Sequence, residues 1–207
     1  MSNIQVSIMY FINNGLQNPF LDWIVPIIYS FADVRVMLTL MILVFIASRI
    51  LMKEKINKIA MFCIIAFCLA SVFILLSKIF YPSTRPFVAF EWIRLTVNDN
   101  GFYSFPSGHF AIATMILSII LMNVDKYKKE LFALSILYLL TLAFVVIYGG
   151  VHYPIDVLGG FIIGVLSASY PYFSRFSLIS ISTKSSISGS STISHLFMNT
   201  TIFGTPT

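Results

Sequence analysis

The residues best suited to chemistry lie in three short polar segments of a chain that otherwise carries little charge. They occupy residues 78–86 (KIFYPSTRP), 105–109 (FPSGH) and 152–156 (HYPID), each at the end of an apolar run. In the second segment a Ser-Gly turn precedes apolar residues that predict a helix. The N-terminus of a helix presents unpaired N–H groups and the positive end of its dipole, which suits an anion. The sequence therefore predicts an anion site near Ser107 and Gly108.

The spacing of His152 and Asp156 favours a histidine nucleophile. If a helix begins near Pro154, a residue type common in the first helical turn, the carboxylate of Asp156 can reach back to the ring of His152. A carboxylate on one ring nitrogen fixes the tautomer and makes the other nitrogen more nucleophilic. His109 provides a second titratable group, which could protonate a leaving oxygen.

Two cations complete a set of groups that fits phosphate chemistry. Lys78 and Arg85 are the basic residues of the first polar segment, and cations together with backbone N–H groups bind phosphate oxygens. Each residue taken alone has a simpler interpretation. Lys78 could anchor the end of a span, His152 could be a capped interfacial residue, and Asp156 could be stabilised by a helix dipole. Their joint spacing is what favours a catalytic site.

The composition indicates an integral membrane protein with one domain. The chain has 207 residues, of which 58% are hydrophobic and 10% charged, and its mean hydropathy is +0.91. Soluble domains have about 45–50% apolar and about 25% charged residues. No dense basic run with interleaved aromatic residues is present, so a nucleic-acid partner is not expected. Residues 1–15 lack a basic region, so no cleavable signal peptide is expected either.

The elements that must position the polar segments are predicted to be transmembrane helices. Because a span needs about 20 apolar residues, we expect an all-α polytopic membrane bundle with about five transmembrane helices, at 34–52, 59–77, 108–124, 131–148 and 155–173. Two apolar stretches within residues 1–31 are too short to span and are expected to be interfacial helices; the alternative is one extra tilted span. One membrane domain is thus expected at 1–173. A tail at 174–207, with 16 Ser or Thr among its 34 residues, is expected to be disordered.

The distribution of basic residues predicts which face is cytoplasmic. Five spans place nine cations on one side and four on the other, and the side rich in Lys and Arg is normally cytoplasmic. The four are Arg35, Lys78, Arg85 and Arg94. All three polar segments then lie together on the outer face of the cell membrane. The sequence therefore predicts a multi-pass protein whose active site faces outside.

The order Lys-x6-Arg-Pro, Pro-Ser-Gly-His and His-x3-Asp resembles the signature of the type 2 phosphatidic acid phosphatase superfamily, whose members include membrane lipid phosphatases and soluble vanadium haloperoxidases. The resemblance covers about residues 59–173. It implies that His152 forms a phosphohistidine, that Asp156 orients His152, and that His109 protonates the leaving group. It also implies that Lys78, Arg85, Ser107 and Gly108 hold the phosphate oxygens. It implies no metal ion or other cofactor.

One motif departs from the family's pattern. The family's third motif begins with Ser-Arg, and the corresponding residues here are Val145 and Val146. Loss of one contact to the phosphoryl group can cost about 3 kcal/mol, roughly a hundredfold in rate. Arg94 is the preferred replacement for the missing cation, with Arg35 as the other candidate. Alternatively, the chain is slow or binds a lipid phosphate without catalysis.

The predicted function is removal of phosphate from a lipid in the outer leaflet. The short chain and outward site resemble small prokaryotic polyprenyl diphosphate phosphatases, and phosphatidate or phosphatidylglycerol phosphate are further candidate substrates. A non-catalytic lipid-phosphate binder is a second class of function. A haloperoxidase is a third class, and the five apolar runs argue against it.

Overall fold

The computed structural model describes residues 3–99 and 101–171. The chain divides into two compact units, Met1–Ser169 and Tyr170–Thr207, and the first unit holds every helix named below except the last two residues of α8. The expected disordered tail at 174–207 lies outside the described residues.

The described residues form helices joined by short turns and one long loop. They contain no strand, only an isolated antiparallel bridge between Thr84 and Tyr103, which confirms the predicted all-α fold. In chain order the elements are α1 (Asn3–Tyr10), a π-helical turn (Phe11–Gly15), α2 (Pro19–Phe31), α3 (Val34–Ile50), α4 (Glu54–Phe80), α5 (Pro86–Ala89), α6 (Gly108–Asn123), α7 (Lys128–Tyr148) and α8 (Pro154–Pro171).

Three of these helices, α4, α7 and α8, are long and apolar enough to cross a membrane, and α2 with α3 would make a fourth as a span bent by 45°. Helix α6 has only 16 residues, about 24 Å at 1.5 Å per residue, which is shorter than a hydrocarbon core of about 30 Å. The predicted number of five spans is therefore approximate. Helix α6 lies inside the bundle, where it contacts α3, α4 and α7.

Two glycines bring α8 against α6. A Cβ atom on Gly160 would lie 2.6 Å from the carbonyl oxygen of Ser107, and one on Gly164 would lie 2.5 Å from that of Ala111. The Gly-x3-Gly spacing is one that permits such a close helix contact. The contact holds the N-terminus of α8, with Asp156, beside the N-terminus of α6, with His109.

The up-and-down order of the helices brings the three polar segments to one end of the bundle. The C-terminal end of α4, the N-terminus of α6 and the turn between α7 and α8 meet there. In that turn Gly150 has a φ of 79°, and a Cβ atom on it would lie 2.4 Å from the carbonyl oxygen of Arg94. A residue without a side chain is therefore required immediately before Val151 and His152.

The N-terminal segment is attached to the same end. The side-chain amide of Asn13 donates to the carbonyls of Arg94 and Tyr148 at 2.9 and 2.7 Å. Asp22 of α2 accepts hydrogen bonds from the side chains of Arg94 and Tyr148. The interfacial placement of residues 1–31 stays a prediction, but these contacts bring α2 to the end of the bundle that carries the polar segments.

Candidate active site

The three polar segments contribute to one cavity of about 310 Å³. Lys78, Arg85, Gly108, His109 and His152 line it, five of the residues that the sequence singles out. The other walls come from side chains of α3, α4 and α6, namely Val34, Ser71, Ile74, Leu75 and Ile112. The cavity therefore combines a polar end with largely apolar walls.

Helical periodicity explains why apolar and polar groups share this cavity. On α4 the lining residues Ser71, Ile74, Leu75 and Lys78 follow the i, i+3, i+4, i+7 spacing of a single helix face. On α6 the lining residues are Gly108, His109 and Ile112. His109 and Ile112 are three residues apart and therefore share one helix face. Each helix thus presents its polar end residue in line with the apolar residues deeper in the bundle.

The two histidines lie side by side in this cavity. Their ring centroids are 6.3 Å apart, and the ring planes meet at 65°. His152 is buried, with 1% of its surface exposed, whereas His109 is half-buried. Burial lowers the pKa of His152, and the neighbouring Asp156 only partly opposes this effect. His152 is therefore neutral at neutral pH, as a nucleophile requires.

Asp156 is close to His152 but is held mainly by other donors. Its Oδ2 lies 3.5 Å from Nδ1 of His152, too far for a good hydrogen bond. The same oxygen accepts hydrogen bonds from the hydroxyl of Ser104 and, at 2.7 Å, from the backbone N–H of Tyr153. Nδ1 of His152 and Oδ1 of Asp156 have no hydrogen-bond partner among the described residues.

Ser107 organises the N-terminus of α6 rather than lining the cavity. Its hydroxyl accepts a hydrogen bond from the N–H of Phe110 at 3.5 Å, the pattern of an N-cap. Its own N–H donates to the carbonyl of Asp156 at 3.0 Å, so this amide is not open to an anion. The N–H groups of Gly108 and His109 are in the first helical turn and have no intrahelical acceptor. Gly108 stays a predicted anion donor, and the N–H of His109 is a second candidate.

The two predicted phosphate cations differ in their surroundings. Nζ of Lys78 donates to the carbonyl of Tyr103 at 3.2 Å. Arg85 is 4% exposed and donates from Nη1 to Oδ2 of Asp99 at 2.7 Å. Burial favours the protonated form of Asp99, but the hydrogen bonds from Tyr29 and Gly101 and the charge of Arg85 outweigh it and lower the pKa to about 2. Asp99 is therefore an anion beside the Arg85 guanidinium.

Arg94 is the predicted replacement for the arginine that is missing from the third motif. Arg94 does not line the cavity; it donates to both carboxylate oxygens of Asp22 at 3.1 Å and to the carbonyl of Asn13 at 2.7 Å. The hypothesis that Arg94 substitutes is therefore wrong, because attachment of the N-terminal segment occupies its guanidinium. Arg35 is paired with Asp33 at 3.0 Å, and its side chain is 90% exposed.

Val146 itself is fully buried, and its carbonyl accepts from the N–H groups of Val151 and His152, each at 3.3 Å. Its backbone helps to fix the turn that carries His152, but its side chain adds no charge. Within the part of the chain that the structure describes, Lys78 and Arg85 are the cations that line the cavity.

Sequence reasoning missed three residues that hold the site together, Tyr29, Asp99 and Ser104. Ser104 stands two residues before Pro106 of the second polar segment, which is the single local signal for its role. Asp99 is one of several polar residues in the long loop, and Tyr29 lies in an apolar helix. Neither carries a spacing that points to the cavity.

Comparison with known proteins gives a family match over more than half of the chain. The sequence model of the PAP2 superfamily matches residues 59–177. This range includes all seven residues that sequence analysis assigned to the site. It leaves out α1, α2 and α3.

Individual relatives resemble the chain in sequence or in fold. An undecaprenyl-diphosphatase of Sulfolobus acidocaldarius is 28% identical over 119 residues, which are 58% of this chain and 56% of that protein. The match thus spans little more than half of the relative's length. LpxE of Aquifex aeolicus superposes with a TM-score of 0.66 at 28% identity, covering 81% of this chain and 93% of LpxE.

A second solved structure shares the fold at lower identity. It is a transmembrane PAP2-type phosphatidylglycerolphosphate phosphatase from Bacillus subtilis, with a TM-score of 0.68 at 20% identity, covering 84% of this chain and 88% of that one.

Proposed function

The chain belongs to the PAP2 superfamily, and we propose that it is a multi-pass membrane phosphatase that removes phosphate from a lipid phosphate or a polyprenyl diphosphate. One observation carries the proposal: two histidines and two cations line a cavity whose remaining walls are largely apolar. A phosphate group suits the polar end, and the first part of a lipid chain suits the apolar walls.

The proposed reaction passes through a phosphohistidine. A ring nitrogen of neutral His152 attacks phosphorus, the N–P bond forms, and the bond from phosphorus to the leaving oxygen breaks. The bound phosphate anion favours the protonated form of His109. His109 gives its proton to the leaving oxygen, which departs as a lipid alcohol or, from a diphosphate, as a lipid monophosphate. A water molecule then attacks phosphorus while His109 takes its proton. Inorganic phosphate leaves, and both histidines return to their starting states.

The surrounding groups act on the charges that develop in this reaction. Asp156 stabilises the positive charge that His152 acquires when it forms the N–P bond, since the carboxylate lies 3.5 Å from the ring. Lys78, Arg85 and the N–H groups of Gly108 and His109 hold the phosphoryl oxygens, whose charge spreads in the transition state. All of these groups come from the chain itself.

The proposal places the site at the outer leaflet of the cell membrane. The loop between α3 and α4 and the loop between α6 and α7 lie at the opposite end of the bundle, where Lys55 and Asp125 approach to 3.8 Å. The segments 53–58 and 125–130 at this end carry six lysines, so this end is assigned to the cytoplasm. The polar end of the cavity then faces outside, within reach of lipids in the outer leaflet.

The test is phosphate release by the purified full-length chain in detergent, from polyprenyl diphosphate, phosphatidate and phosphatidylglycerol phosphate. We expect turnover of at least one of them. A metal chelator tests separately whether a metal ion takes part. Absence of phosphate release from every member of the panel, by protein that melts cooperatively, would contradict the proposal.

A second candidate function is lipid-phosphate binding with weak or no catalysis. The observation that favours it is Val146, because the cation that the family has at this position is absent. In that case the wild type binds inorganic phosphate but turns over slowly, and Val146→Arg gains activity. Since Val146 is fully buried, the variant needs a melting measurement beside the assay. Turnover by wild type that Val146→Arg does not raise would reject this candidate.

A further inference from the structure

Tyr29 of α2 reaches two parts of the proposed active site at once. Its ring lies against the ring of His109, with centroids 4.6 Å apart, and its hydroxyl donates a hydrogen bond to Oδ2 of Asp99. Tyr29 is 4% exposed, so both contacts are inside the protein. The family match begins at residue 59, and it therefore assigns no role to Tyr29.

Asp99 holds Arg85 in one orientation. Its Oδ2 accepts from Nη1 of Arg85 at 2.7 Å as well as from Tyr29, and its Oδ1 accepts from the N–H of Gly101 at 2.7 Å. The loop passes close behind the guanidinium, because a Cβ atom on Gly101 would lie 2.2 Å from Nη2 of Arg85. The guanidinium is thus bordered by a carboxylate and by the backbone of the loop.

Not every donor of the guanidinium is paired within the protein. Nε of Arg85 is buried and has no hydrogen-bond partner among the described residues, although Arg85 lines the cavity. An arginine presents five N–H donors in a rigid fork, so a carboxylate on one side does not prevent an oxyanion from binding on another. Asp99 holds one arm of the fork, and the Nε–H has no partner of its own among the described residues.

We propose that Tyr29 and Asp99 are positioning residues for phosphate transfer. Asp99 acts through Arg85, whose guanidinium it orients for the phosphate oxygens. Tyr29 acts through Asp99 by its hydroxyl and on His109 by its ring. Helix α2 thereby becomes part of the catalytic machinery. This inference rests on the proposed function for its kinetic consequences, whereas its consequence for phosphate binding can be measured without turnover.

The charge of Asp99 alone favours an opposite role, in which Asp99 competes with phosphate for Arg85. The direction in which Asp99→Asn changes the affinity for phosphate separates the two roles. If Asp99 competes with phosphate for Arg85, Asp99→Asn tightens the binding of inorganic phosphate. If Asp99 orients Arg85, the same change weakens binding by about tenfold or more, because a charge-assisted contact that fixes the guanidinium is lost. Tighter binding by Asp99→Asn would overturn the proposal.

Tyr29 allows the test to be made without changing any charge. Tyr29→Phe keeps the ring against His109 and removes the hydroxyl bonded to Asp99. We expect it to weaken the binding of inorganic phosphate about threefold to tenfold and to raise KM more than it lowers kcat. Tyr29→Leu also removes the ring, and we expect a further fall in kcat of about tenfold through His109. The matched control is Tyr138→Phe, because Tyr138 of α7 is 39% exposed and does not line the cavity.

The experiment uses the full chain in detergent. Inorganic phosphate is titrated into wild type, Tyr29→Phe, Asp99→Asn and the double variant, followed by phosphorus NMR, and kinetics are measured on one lipid phosphate substrate. Because the hydroxyl of Tyr29 acts through Asp99, the double variant should bind phosphate no more weakly than Asp99→Asn alone. Melting temperatures show which variants fold. If Asp99→Asn does not fold, Tyr29→Phe alone tests the proposal.

The outcomes are distinguishable from failure of the proposed function. If wild type shows no turnover but the phosphate titrations change as expected, the proposed function fails and the positioning of Arg85 stands. If Tyr29→Phe binds phosphate as wild type does, or if the effects of the two single variants add in full, the proposal is overturned. Equal kcat values for Tyr29→Phe and Tyr29→Leu would overturn the role of the ring toward His109.

Discussion

At the scale of single residues, the site depends on a histidine kept neutral by burial. His152 is almost completely enclosed, and burial lowers its pKa from the ordinary value of 6.5 despite the nearby Asp156. A histidine with a lowered pKa stays unprotonated as the pH falls through 6.5, so it remains nucleophilic there. Protonation at lower pH removes the lone pair and stops the attack on phosphorus.

This property predicts the acidic limb of the pH profile. We expect kcat/KM to fall on the acidic side with a midpoint below 6.5, the ordinary pKa of histidine. The measurement is a pH series with one lipid phosphate. The second ionisation of the substrate is determined separately by phosphorus NMR, so that it can be subtracted from the profile. An acidic midpoint at or above 6.5 that belongs to the enzyme would contradict the assignment.

A second residue-scale prediction concerns Ser104. Its hydroxyl donates to Asp156, and we expect Ser104→Ala to lower kcat about tenfold with little change in KM, since Asp156 then loses a donor that fixes its position toward His152. The matched control is Ser135→Ala. Ser135 is also a buried serine, but it donates to the carbonyl of Leu131 within α7. A fall in kcat of the same size in both variants would indicate a general loss of packing instead.

The site residues divide into those that sequence could predict and those that it could not. His152 precedes α8 by two residues and Asp156 lies in the first turn of α8, so a spacing of four brings them within 3.5 Å. Tyr29 and Asp99 are separated by 70 positions, and Ser104 and Asp156 by 52, and such pairs form only when the helices pack. Arg94 shows the same limit, because its partner Asp22 lies 72 positions away and removes it from the cavity.

At the scale of elements, the close contact of α6 and α8 aligns the two halves of the site. The spacing of Gly160 and Gly164 permits this contact, because two small residues one helical turn apart allow helices to approach, but the motif is too common in apolar helices to predict it. The exact number of spans could not be predicted either. It depends on whether α2 and α3 act as one bent span and on whether α6, with only 16 residues, is a span at all.

The contact predicts the effect of a single methyl group. Gly164→Ala places a Cβ atom 2.5 Å from the carbonyl oxygen of Ala111, so α6 and α8 must move apart. We expect a loss of stability of about 1–3 kcal/mol, seen as a lower melting temperature, together with reduced activity. Gly15→Ala is the control, because its Cβ atom would meet the ring of Phe11 at an ordinary 3.4 Å. An unchanged melting temperature for Gly164→Ala would show that the helices are less tightly packed.

At the scale of the whole molecule, the prediction concerns sidedness. In a background without Cys63 and Cys68, a cysteine in place of exposed Asn98 should react with an impermeant thiol reagent in intact cells. One in place of Asp125, whose side chain is 96% exposed, should react only after the cells are opened. The reverse pattern would place the cavity at the cytoplasmic face and require a substrate in the inner leaflet.

The central claim is that His152 carries the phosphoryl group, and a covalent trap tests it most directly. Wild type and His152→Ala are mixed briefly with a lipid phosphate labelled in its phosphate group, quenched, and separated from free lipid. We predict acid-labile, base-stable label on the wild-type chain, none on His152→Ala, and no turnover by that variant although it remains folded. Label on His152→Ala, or phosphate release by it at the wild-type rate, would contradict the account.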